Sequence, residues 1–308
     1  MFIIVTGDFM IFTVTLNPAL DYYMKVGEIS ADVQQAESTY LDFGGKGINV
    51  SVMLQRLGVE SRALGFVGGF SGSKLLSLLE NQHIDTDFVT IQSDTRINVK
   101  LTGAADLVIN TRGPSVTLRN EQELIQKLKD IKDDDYLVLA GSIPSSMGES
   151  AYDRIVSALG KRNIRLIVDT TGNPFKSLLG YHPFLVKPNH HEMADFFGRS
   201  MNTRDDIVGG AMELQRMGAE NVLVSIGKQG MLLLDGNGEA NFEPIIDGKV
   251  RNTTGCGDST VAGFLAGYIR SGDYRYALRL ASVCGNATAF CDRLAGSEDI
   301  NRLLQAME

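Results

Sequence analysis

The sequence is poor in the residues that build disulfide scaffolds, zinc sites and membrane spans. It has only three cysteines, Cys256, Cys284 and Cys291, and no two of them form a CxxC pair. This odd, scattered set argues against a disulfide framework or a zinc site and is typical of a reducing compartment. No apolar run reaches the roughly 18 residues of a membrane span. We therefore expect a cytoplasmic protein without a membrane partner.

An excess of positive charge is also missing. The chain has 29 Lys and Arg against 37 Asp and Glu, a net charge of −8, so we expect no nucleic-acid partner. Any phosphate site must then use a few local cations and backbone donors.

Residues 1–9 lack the basic start and cleavage site of a signal peptide, and we expect them to be an N-terminal extension. The 308 residues, 44% of them hydrophobic, can bury a large core.

Short apolar runs alternate with amphipathic segments, a pattern typical of βαβ units and a mainly parallel sheet. The predicted strands are residues 11–16, 63–67, 136–140, 165–168, 184–186 and 222–226. The predicted helices are residues 48–57, 73–79, 121–131, 151–159 and 207–217, with Asn120 and Glu123 as a capping pair for the third and Gly58 ending the first. Two regions, about residues 21–42 and 87–116, instead contain successive strand-like runs.

A glycine-rich turn runs from Asn252 to Ser259 into an apolar, helix-like segment, residues 260–269. Gly255 and Gly257 carry no Cβ, so backbone N–H groups can approach a ligand, and the following helix start favours an anion. A carboxylate beside a phosphate repels it, so Asp258 makes sense as the acceptor of a proton from an attacking hydroxyl. The alternative is that Asp258 only caps the helix.

Cys256 lies within this turn. A helix N-terminus lowers the pKa of a thiol, so we expect Cys256 to be the most reactive of the three cysteines. Cys284 and Cys291 are seven residues apart in an apolar segment, and we expect them to share one helix face and pack inside.

The four histidines have no partners at ligand spacing, and His190 and His191, as neighbours on a helix, are expected to point apart.

A second glycine motif, Gly44-Gly45-Lys46-Gly47-Ile48-Asn49-Val50, precedes the turn around Asp258. The two motifs, in this order, resemble the PfkB (ribokinase-like) family of carbohydrate kinases over nearly the whole chain. Residues 13–21 and 95–100 are similar to its 1-phosphofructokinase and tagatose-6-phosphate kinase branch. The resemblance implies an α/β, ribokinase-like three-layer fold with a mainly parallel central sheet, as one kinase domain over residues 10–308. It also implies a small β lid formed by about residues 21–42 and 87–116.

The lid region carries two cations and an amide at alternate positions. Arg96, Asn98 and Lys100 fall on one face of a strand, which without the resemblance could be a solvated outer face. The resemblance implies that these three residues and Lys46 bind the phosphate of the substrate. It also implies that the sugar contacts Asp21, Gly44, Gly45 and Asn49.

The sequence Lys187-Pro188-Asn189-His190-His191-Glu192 matches the Asn-x-x-Glu element of the family. The resemblance implies that Lys187 and Asn189 contribute to the nucleotide site and that Glu192 holds Mg²⁺, directly or through water. The alternative is a helix start, with Asn189 and Glu192 forming a capping box. Ser225, Gly227 and Gly230 resemble the family's nucleotide-binding loop.

The implied activity is ATP-dependent phosphorylation of a ketohexose monophosphate, with fructose 1-phosphate converted to fructose 1,6-bisphosphate. Asp258 would be the base, and backbone amides of Gly255, Cys256 and Gly257 would stabilise the transferred phosphoryl group. Tagatose 6-phosphate remains an alternative substrate, and a non-catalytic sugar-phosphate or nucleotide sensor is a second alternative. A homodimer through the lid is also open. Asn252 replaces an Asp that the family ties to potassium activation, which argues against potassium dependence without deciding it.

Overall fold

The structure is a computed structural model that describes residues 9–27, 33, 35–103 and 107–306. Most of the predicted N-terminal extension, residues 1–8, lies outside the described residues, as do parts of the predicted lid, residues 28–32, 34 and 104–106, and the end of the predicted domain, residues 307 and 308. No helix among the described residues is both long enough and apolar enough to cross a bilayer.

Strands and helices alternate through most of the chain. The strands are β1 (Ile11–Thr15), β2 (Ala19–Lys25), β3 (Ser38–Gly44), β4 (Arg62–Gly68), β5 (Asp85–Thr86), β6 (Val89–Ile91), β7 (Arg96–Thr102), β8 (Leu107–Ile109), β9 (Tyr136–Ala140), β10 (Arg165–Asp169), β11 (Leu185–Val186), β12 (Asn221–Ser225), β13 (Met231–Leu234) and β14 (Ala240–Glu243). The helices are α1 (Lys46–Arg56), α2 (Gly69–Glu80), α3 (Leu118–Lys127), α4 (Ala151–Leu159), α5 (Gly172–Leu178), α6 (His190–Phe197), α7 (Arg204–Arg216), α8 (Cys256–Ser271), α9 (Tyr274–Ala289) and α10 (Ser297–Gln305).

A large, mainly parallel sheet forms the centre of the molecule. Its order is β14-β13-β12-β11-β10-β9-β1-β4-β5, and β6 also pairs with β4. Among the described residues of this sheet, the β12–β13 and β13–β14 pairings are antiparallel and the others are parallel. Both faces are apolar: in β9, Leu137 and Leu139 join the core on one side, while Val138 and Ala140 join the core on the other. Helices cover both faces, as a parallel sheet requires, which gives the three layers.

A second sheet of four strands, called here the small sheet, has the order β3-β2-β7-β8. Its strands lie in or next to the two regions predicted to form the lid, about residues 21–42 and 87–116. The second region was predicted too broadly, because β6 within it pairs with β4 of the large sheet. β2 pairs antiparallel with β3 and parallel with β7. β8 lies at one edge, and its Leu107, Val108 and Ile109 are all exposed. The start of β2 follows β1 of the large sheet, and the end of β3 leads into α1.

The six predicted strands and five predicted helices are confirmed, with ends shifted by a few residues. Gly58 follows the last turn of α1 with a φ of 72°, as expected of a helix stop. The prediction that Asn120 caps α3 is wrong. The helix begins earlier, Thr117 is the cap, and Asn120 completes its capping box. The expectation that His190 and His191 point apart is also wrong, because their ring centres lie 3.8 Å apart.

Candidate active site

A cleft of about 840 Å³ lies where the carboxyl ends of the parallel strands face the small sheet. This end of a parallel sheet is where open α/β folds bind their ligands. The glycine motif of residues 44–50 and the glycine-rich turn of residues 252–259 both line this cleft, although more than 200 residues separate Asn49 from Asp258. The predicted site residues that line it are Asp21, Gly45, Lys46, Asn49, Arg96, Asn98, Lys100, Lys187, Asn189, Glu192, Ser225, Gly255, Cys256, Gly257 and Asp258.

Three predicted glycines are not among the residues lining the cleft. Gly44 ends β3, and a Cβ there would lie 2.7 Å from Oδ1 of Asp21, so a side chain would displace that carboxylate. Gly227 and Gly230 lie in the turn between β12 and β13 at positive φ values of 57° and 89°. They shape the backbone beside Ser225.

The start of α8 forms a backbone cradle. Gly255 is the N-cap residue at a φ of 81°, and among the described residues no side chain caps the helix. The Cys256 N–H donates a long hydrogen bond of 3.4 Å to the Thr253 carbonyl, and the next N–H groups, those of Gly257 and Asp258, remain available to an anion. A Cβ at Gly257 would lie 3.1 Å from Nζ of Lys187, so the missing side chain lets this cation approach the helix start.

Asp258 is buried in the first turn of α8. Its Oδ2 accepts a hydrogen bond of 2.7 Å from Nδ2 of Asn49, which comes from the other glycine motif. Burial, and next the charge of Asp169, raises the pKa of Asp258 to about 6, although Lys46 and Lys187 oppose the shift. A carboxylate with such a pKa is ionised at neutral pH and is more basic than an ordinary one, which suits it to accept a proton.

Asp169, at the end of β10, is a residue that the sequence analysis missed. Its Oδ1 lies 3.0 Å from Nζ of Lys46 and 3.5 Å from Nζ of Lys187. Burial alone would raise the pKa of Asp169, but these two ammonium groups outweigh it and hold the pKa below its ordinary value. The available signal was an acidic residue directly after a buried parallel strand.

The opposite wall of the cleft comes from the small sheet. Asp21 on β2 accepts 2.8 Å from Nδ2 of Asn98 and pairs at 2.5 Å with Nζ of Lys100. Tyr23 accepts a second hydrogen bond, of 3.0 Å, from the same ammonium group. Asn98 and Lys100 lie on the same face of β7, as predicted from their spacing of two residues. Both side chains are buried.

Arg96 begins β7, beside the turn that joins β1 to β2. Its Nη2 and Nε donate to the carbonyl oxygen of Asn17 at 3.0 and 3.2 Å. Burial lowers its pKa. In the described part of the chain no carboxylate lies within 4 Å of this guanidinium. Its charge is therefore not neutralised by an ion pair and remains available to an anionic ligand.

Asn189 and Glu192 begin α6 on a third side of the cleft. Oδ1 of Asn189 accepts from the Glu192 N–H, and Oε2 of Glu192 accepts from the Asn189 N–H, both at 2.8 Å. This is the capping box of the alternative interpretation, and the second carboxylate oxygen of Glu192 is not used in it. Within the described residues, no cluster of three or more His, Cys, Asp or Glu is arranged to hold a metal ion.

The expectation that the helix N-terminus lowers the pKa of Cys256 is wrong. Burial, and next the charge of Asp258, raises the pKa of its thiol to about 12, and its Sγ lies 3.6 Å from the carbonyl oxygen of Asn252. Desolvation and a neighbouring carboxylate thus outweigh the helix N-terminus. Cys284 is buried as expected, but Cys291 follows the end of α9 and is only half-buried.

Comparison with known proteins agrees with this arrangement. Residues 10–299 match the pfkB family carbohydrate kinases. A 1-phosphofructokinase of Bacillus subtilis strain 168 is 39% identical over 296 residues, 96% of this chain and 97% of the relative. A D-tagatose-1-phosphate kinase of Bacillus licheniformis is 35% identical over 298 residues, with coverages of 96% and 97%.

A solved structure of phosphofructokinase-2 from Escherichia coli in complex with fructose-6-phosphate has a TM-score of 0.90 and 26% identity, and covers 97% of this chain and 99% of that one. The similarity therefore extends over the whole fold, including both walls of the cleft. On this similarity of sequence and structure, the chain belongs to the pfkB family of carbohydrate kinases.

Proposed function

We propose that the protein transfers the γ-phosphoryl group of ATP to the 6-hydroxyl of fructose 1-phosphate, yielding ADP and fructose 1,6-bisphosphate. The observation that carries the proposal is the position of Asp258. Its carboxylate, with a pKa of about 6, stands in one cleft between a backbone anion cradle and the cations of the small sheet. The choice of a ketohexose phosphate as the substrate rests on the names of the relatives. A sensor would gain nothing from a base at this position.

The chemical step follows from this arrangement. The sugar O6 attacks the γ-phosphorus, the O6–P bond forms, and the bond from that phosphorus to the bridging oxygen of ADP breaks. Asp258 accepts the proton of the hydroxyl, while the hydrogen bond from Asn49 orients its carboxylate. Backbone N–H groups of Gly255, Cys256 and Gly257 stabilise the charge on the transferred group.

Lys46 and Lys187 serve this transferred group in our proposal. Both ammonium groups flank Asp169, and both act on the pKa of Asp258, so they lie beside the base and the cradle. The resemblance of the sequence implied that Lys46 binds the existing phosphate of the substrate. Its contacts favour a place on the side of the transferred phosphoryl group instead.

The cleft also fits Mg²⁺. In the described part of the chain, Oδ2 of Asp169 is buried without a hydrogen-bond partner, and Glu192 has a carboxylate oxygen outside its capping box. A site with few carboxylates suits Mg²⁺, which keeps waters and phosphate oxygens as ligands. Glu192 and Asp169 would hold the ion, directly or through water. When bound, Mg²⁺ neutralises charge on the ATP phosphates.

The existing phosphate of the sugar lies against the small sheet in this proposal. Arg96 has no ion-pair partner in the part of the chain that the structure describes, and Lys100 is buried beside Asp21. Asp21 and Asn98 would bind sugar hydroxyls, and Gly44 leaves the room that the Asp21 carboxylate needs. The small sheet would then act as a lid that excludes water from the reaction. The nucleotide would extend along Asn189, Ser225 and the turn at Gly227 and Gly230.

A substrate panel tests the function directly. With MgATP, fructose 1-phosphate should have a kcat/KM at least about tenfold above those of fructose 6-phosphate and tagatose 6-phosphate, a difference of about 1.4 kcal/mol in transition-state binding. Tagatose 1-phosphate is the competing substrate, because a relative named for it is 35% identical. This differs from the tagatose 6-phosphate of the sequence analysis. A preference for either 6-phosphate would contradict the proposal.

We also propose a homodimer through the small sheet. Leu107, Val108 and Ile109 on the edge strand β8 are 43%, 52% and 48% exposed. An apolar edge strand has unpaired backbone groups and is prone to pairing with a second chain. A second copy would cover this strand and its apolar side chains.

A further inference from the structure

Arg293 contacts the small sheet from the segment between α9 and α10. Its Cζ lies 3.9 Å from the centre of the Tyr40 ring, and its Nε lies 3.5 Å from Oδ2 of Asp42. Both partners belong to β3, an edge strand of the small sheet. The guanidinium thus contacts β3 through a cation–π interaction with Tyr40 and an ion pair with Asp42. Neither contact belongs to the proposed chemical step.

The contact with Tyr40 continues into the cleft. The Tyr40 ring stacks on the Tyr23 ring, with centres 4.6 Å apart and planes at 8°. These two residues face each other in the β2–β3 register. The Tyr23 hydroxyl accepts 3.0 Å from Nζ of Lys100, which also lies 4.8 Å from the Tyr23 ring centre. Arg293 is therefore linked to Lys100 through two stacked rings.

The neighbours of Arg293 attach the segment to the main body. Oδ2 of Asp292 lies 3.2 Å from Nη1 of Arg251, in the loop before the cradle. A Cβ at Gly255 would lie 2.5 Å from Cδ2 of Leu294, so this leucine packs directly against the N-cap of α8. The carbonyl of Leu294 accepts 2.7 Å from Nη1 of Arg56 on α1. Arg293 thus projects to the lid from a segment anchored at the cradle.

We propose that Arg293 is a positioning residue for the sugar-phosphate site. By holding Tyr40 against Tyr23, it fixes the ammonium group of Lys100 at the distance from the cradle that the substrate spans. The inference rests on the proposed function for the identity of the ligand. It assigns no contact between Arg293 and the substrate, so its effect is on the binding of the sugar phosphate and not on the phosphoryl transfer itself.

Arg293→Met tests the proposal by removing the charge and the planar group while keeping the length of the side chain. Because a partly exposed cation–π contact and ion pair are individually weak, we expect KM for fructose 1-phosphate to rise about 5- to 20-fold. We expect kcat and KM for ATP to stay within about twofold. Arg293→Lys keeps the charge above the ring and should recover part of the loss.

Arg199 provides a matched control. It also pairs with a carboxylate, Glu213, and lies over a ring, Phe197, and its side chain is 50% exposed against 51% for Arg293. Arg199→Met should therefore have a similar effect on thermal unfolding and none on KM for the sugar phosphate. An equal rise of KM in both variants would overturn the proposal.

A double-mutant cycle tests whether Arg293 acts on Lys100 through the stacked rings of Tyr40 and Tyr23. Tyr40→Leu should raise KM as Arg293→Met does, Tyr40→Phe should behave like the wild type, and the double variant Arg293→Met/Tyr40→Leu should be no worse than the poorer single variant. Additive losses would show that Arg293 acts by another route and would overturn the pathway.

Hydrogen exchange of the ligand-free protein separates this inference from the proposed function. Arg293→Met should speed amide exchange in β3, whereas Arg199→Met should not. If the wild type turned over none of the sugar phosphates, the proposed function would fail while this comparison still tested Arg293. Unchanged exchange in β3, or an unchanged KM in an active enzyme, would refute the positioning role.

Discussion

At the scale of single residues, the environment of Asp258 determines how the reaction should depend on pH. A base must be ionised, so kcat/KM should fall about tenfold per pH unit below the pKa of about 6 and level off above it. Asp258→Asn should lower kcat by ~10²–10⁴ and leave KM for ATP little changed, because the amide cannot accept the proton. Steady-state rates across pH measure both effects. Near-normal turnover would contradict the role of Asp258.

Asp169→Asn tests the cause of that pKa. Because Asp169 is also a proposed Mg²⁺ ligand, kcat/KM should fall at every pH, and the comparison concerns only the pH at which kcat/KM begins to decline. The substitution removes the charge that, next after burial, raises the pKa of Asp258, and leaves Lys46 and Lys187, which lower it. The acidic limb of kcat/KM should therefore move to lower pH. If kcat/KM fell at the same pH in the variant as in the wild type, that fall would report the titration of a group other than Asp258.

Arg96 permits a second prediction at this scale. Its charge has no ion-pair partner among the described residues, and a charge-assisted hydrogen bond to phosphate contributes ~1.5–3 kcal/mol. Arg96→Ala should raise KM for fructose 1-phosphate by one to two orders of magnitude and spare ATP. Arg62→Ala, which removes an exposed arginine paired with Asp85, is the control. Weakened ATP binding with unchanged sugar binding would refute the phosphate site.

Cys256 is predicted to be unreactive. A thiol with a pKa of about 12 contains almost no thiolate at neutral pH, so iodoacetamide should modify Cys256 slowly despite its position in the cradle. Cys291 is less buried, and we expect it to be alkylated first. Mass mapping of the adducts over time gives the order of reaction. Rapid labelling of Cys256 that MgATP prevents would reinstate the prediction from the sequence.

At the scale of elements, the loop from β14 to α8 bears on cation dependence. Nδ2 of Asn252 donates 3.2 Å to the Asp292 carbonyl, and its Oδ1 accepts 2.9 Å from the Thr254 N–H. An amide used in this way brings no negative charge for a cation. Turnover should therefore be equal within about twofold in potassium, sodium and choline chloride at one ionic strength. The control, Asn252→Asp, supplies a carboxylate and should introduce a potassium response; strong potassium activation of the wild type would contradict this prediction.

At the scale of the whole molecule, the exposed edge of the small sheet predicts self-association. Val108→Lys places a charge on β8, and charged edge strands resist pairing with a second chain. Sedimentation should therefore show a dimer for the wild type and a monomer for the variant. Phe70→Lys, at an exposed apolar position on α2, is the control and should remain dimeric. A wild-type monomer at all concentrations would refute the interface.

The sequence alone was sufficient for the parts of the protein that depend on local order. Short apolar runs predicted six of the ten strands described in the large sheet, because β-strands and helices repeat over two and 3.6 residues. The glycine motifs predicted the cradle and Asp258, since a glycine turn before a helix is a local feature. The capping box of Asn189 and Glu192 was open to the same analysis, and the structure contains it.

Only the tertiary structure decided the electrostatics and the long-range contacts of the cleft. Asp169 lies 123 residues from Lys46 in sequence, so its ion pair is invisible to any local pattern. The prediction for Cys256 failed for the same reason: burial and the neighbouring carboxylate, not the helix end, set its pKa. Desolvation and Coulomb energies depend on distance through space and on depth below the surface. The stack from Arg293 to Lys100 likewise exists only because folding brings three distant segments together.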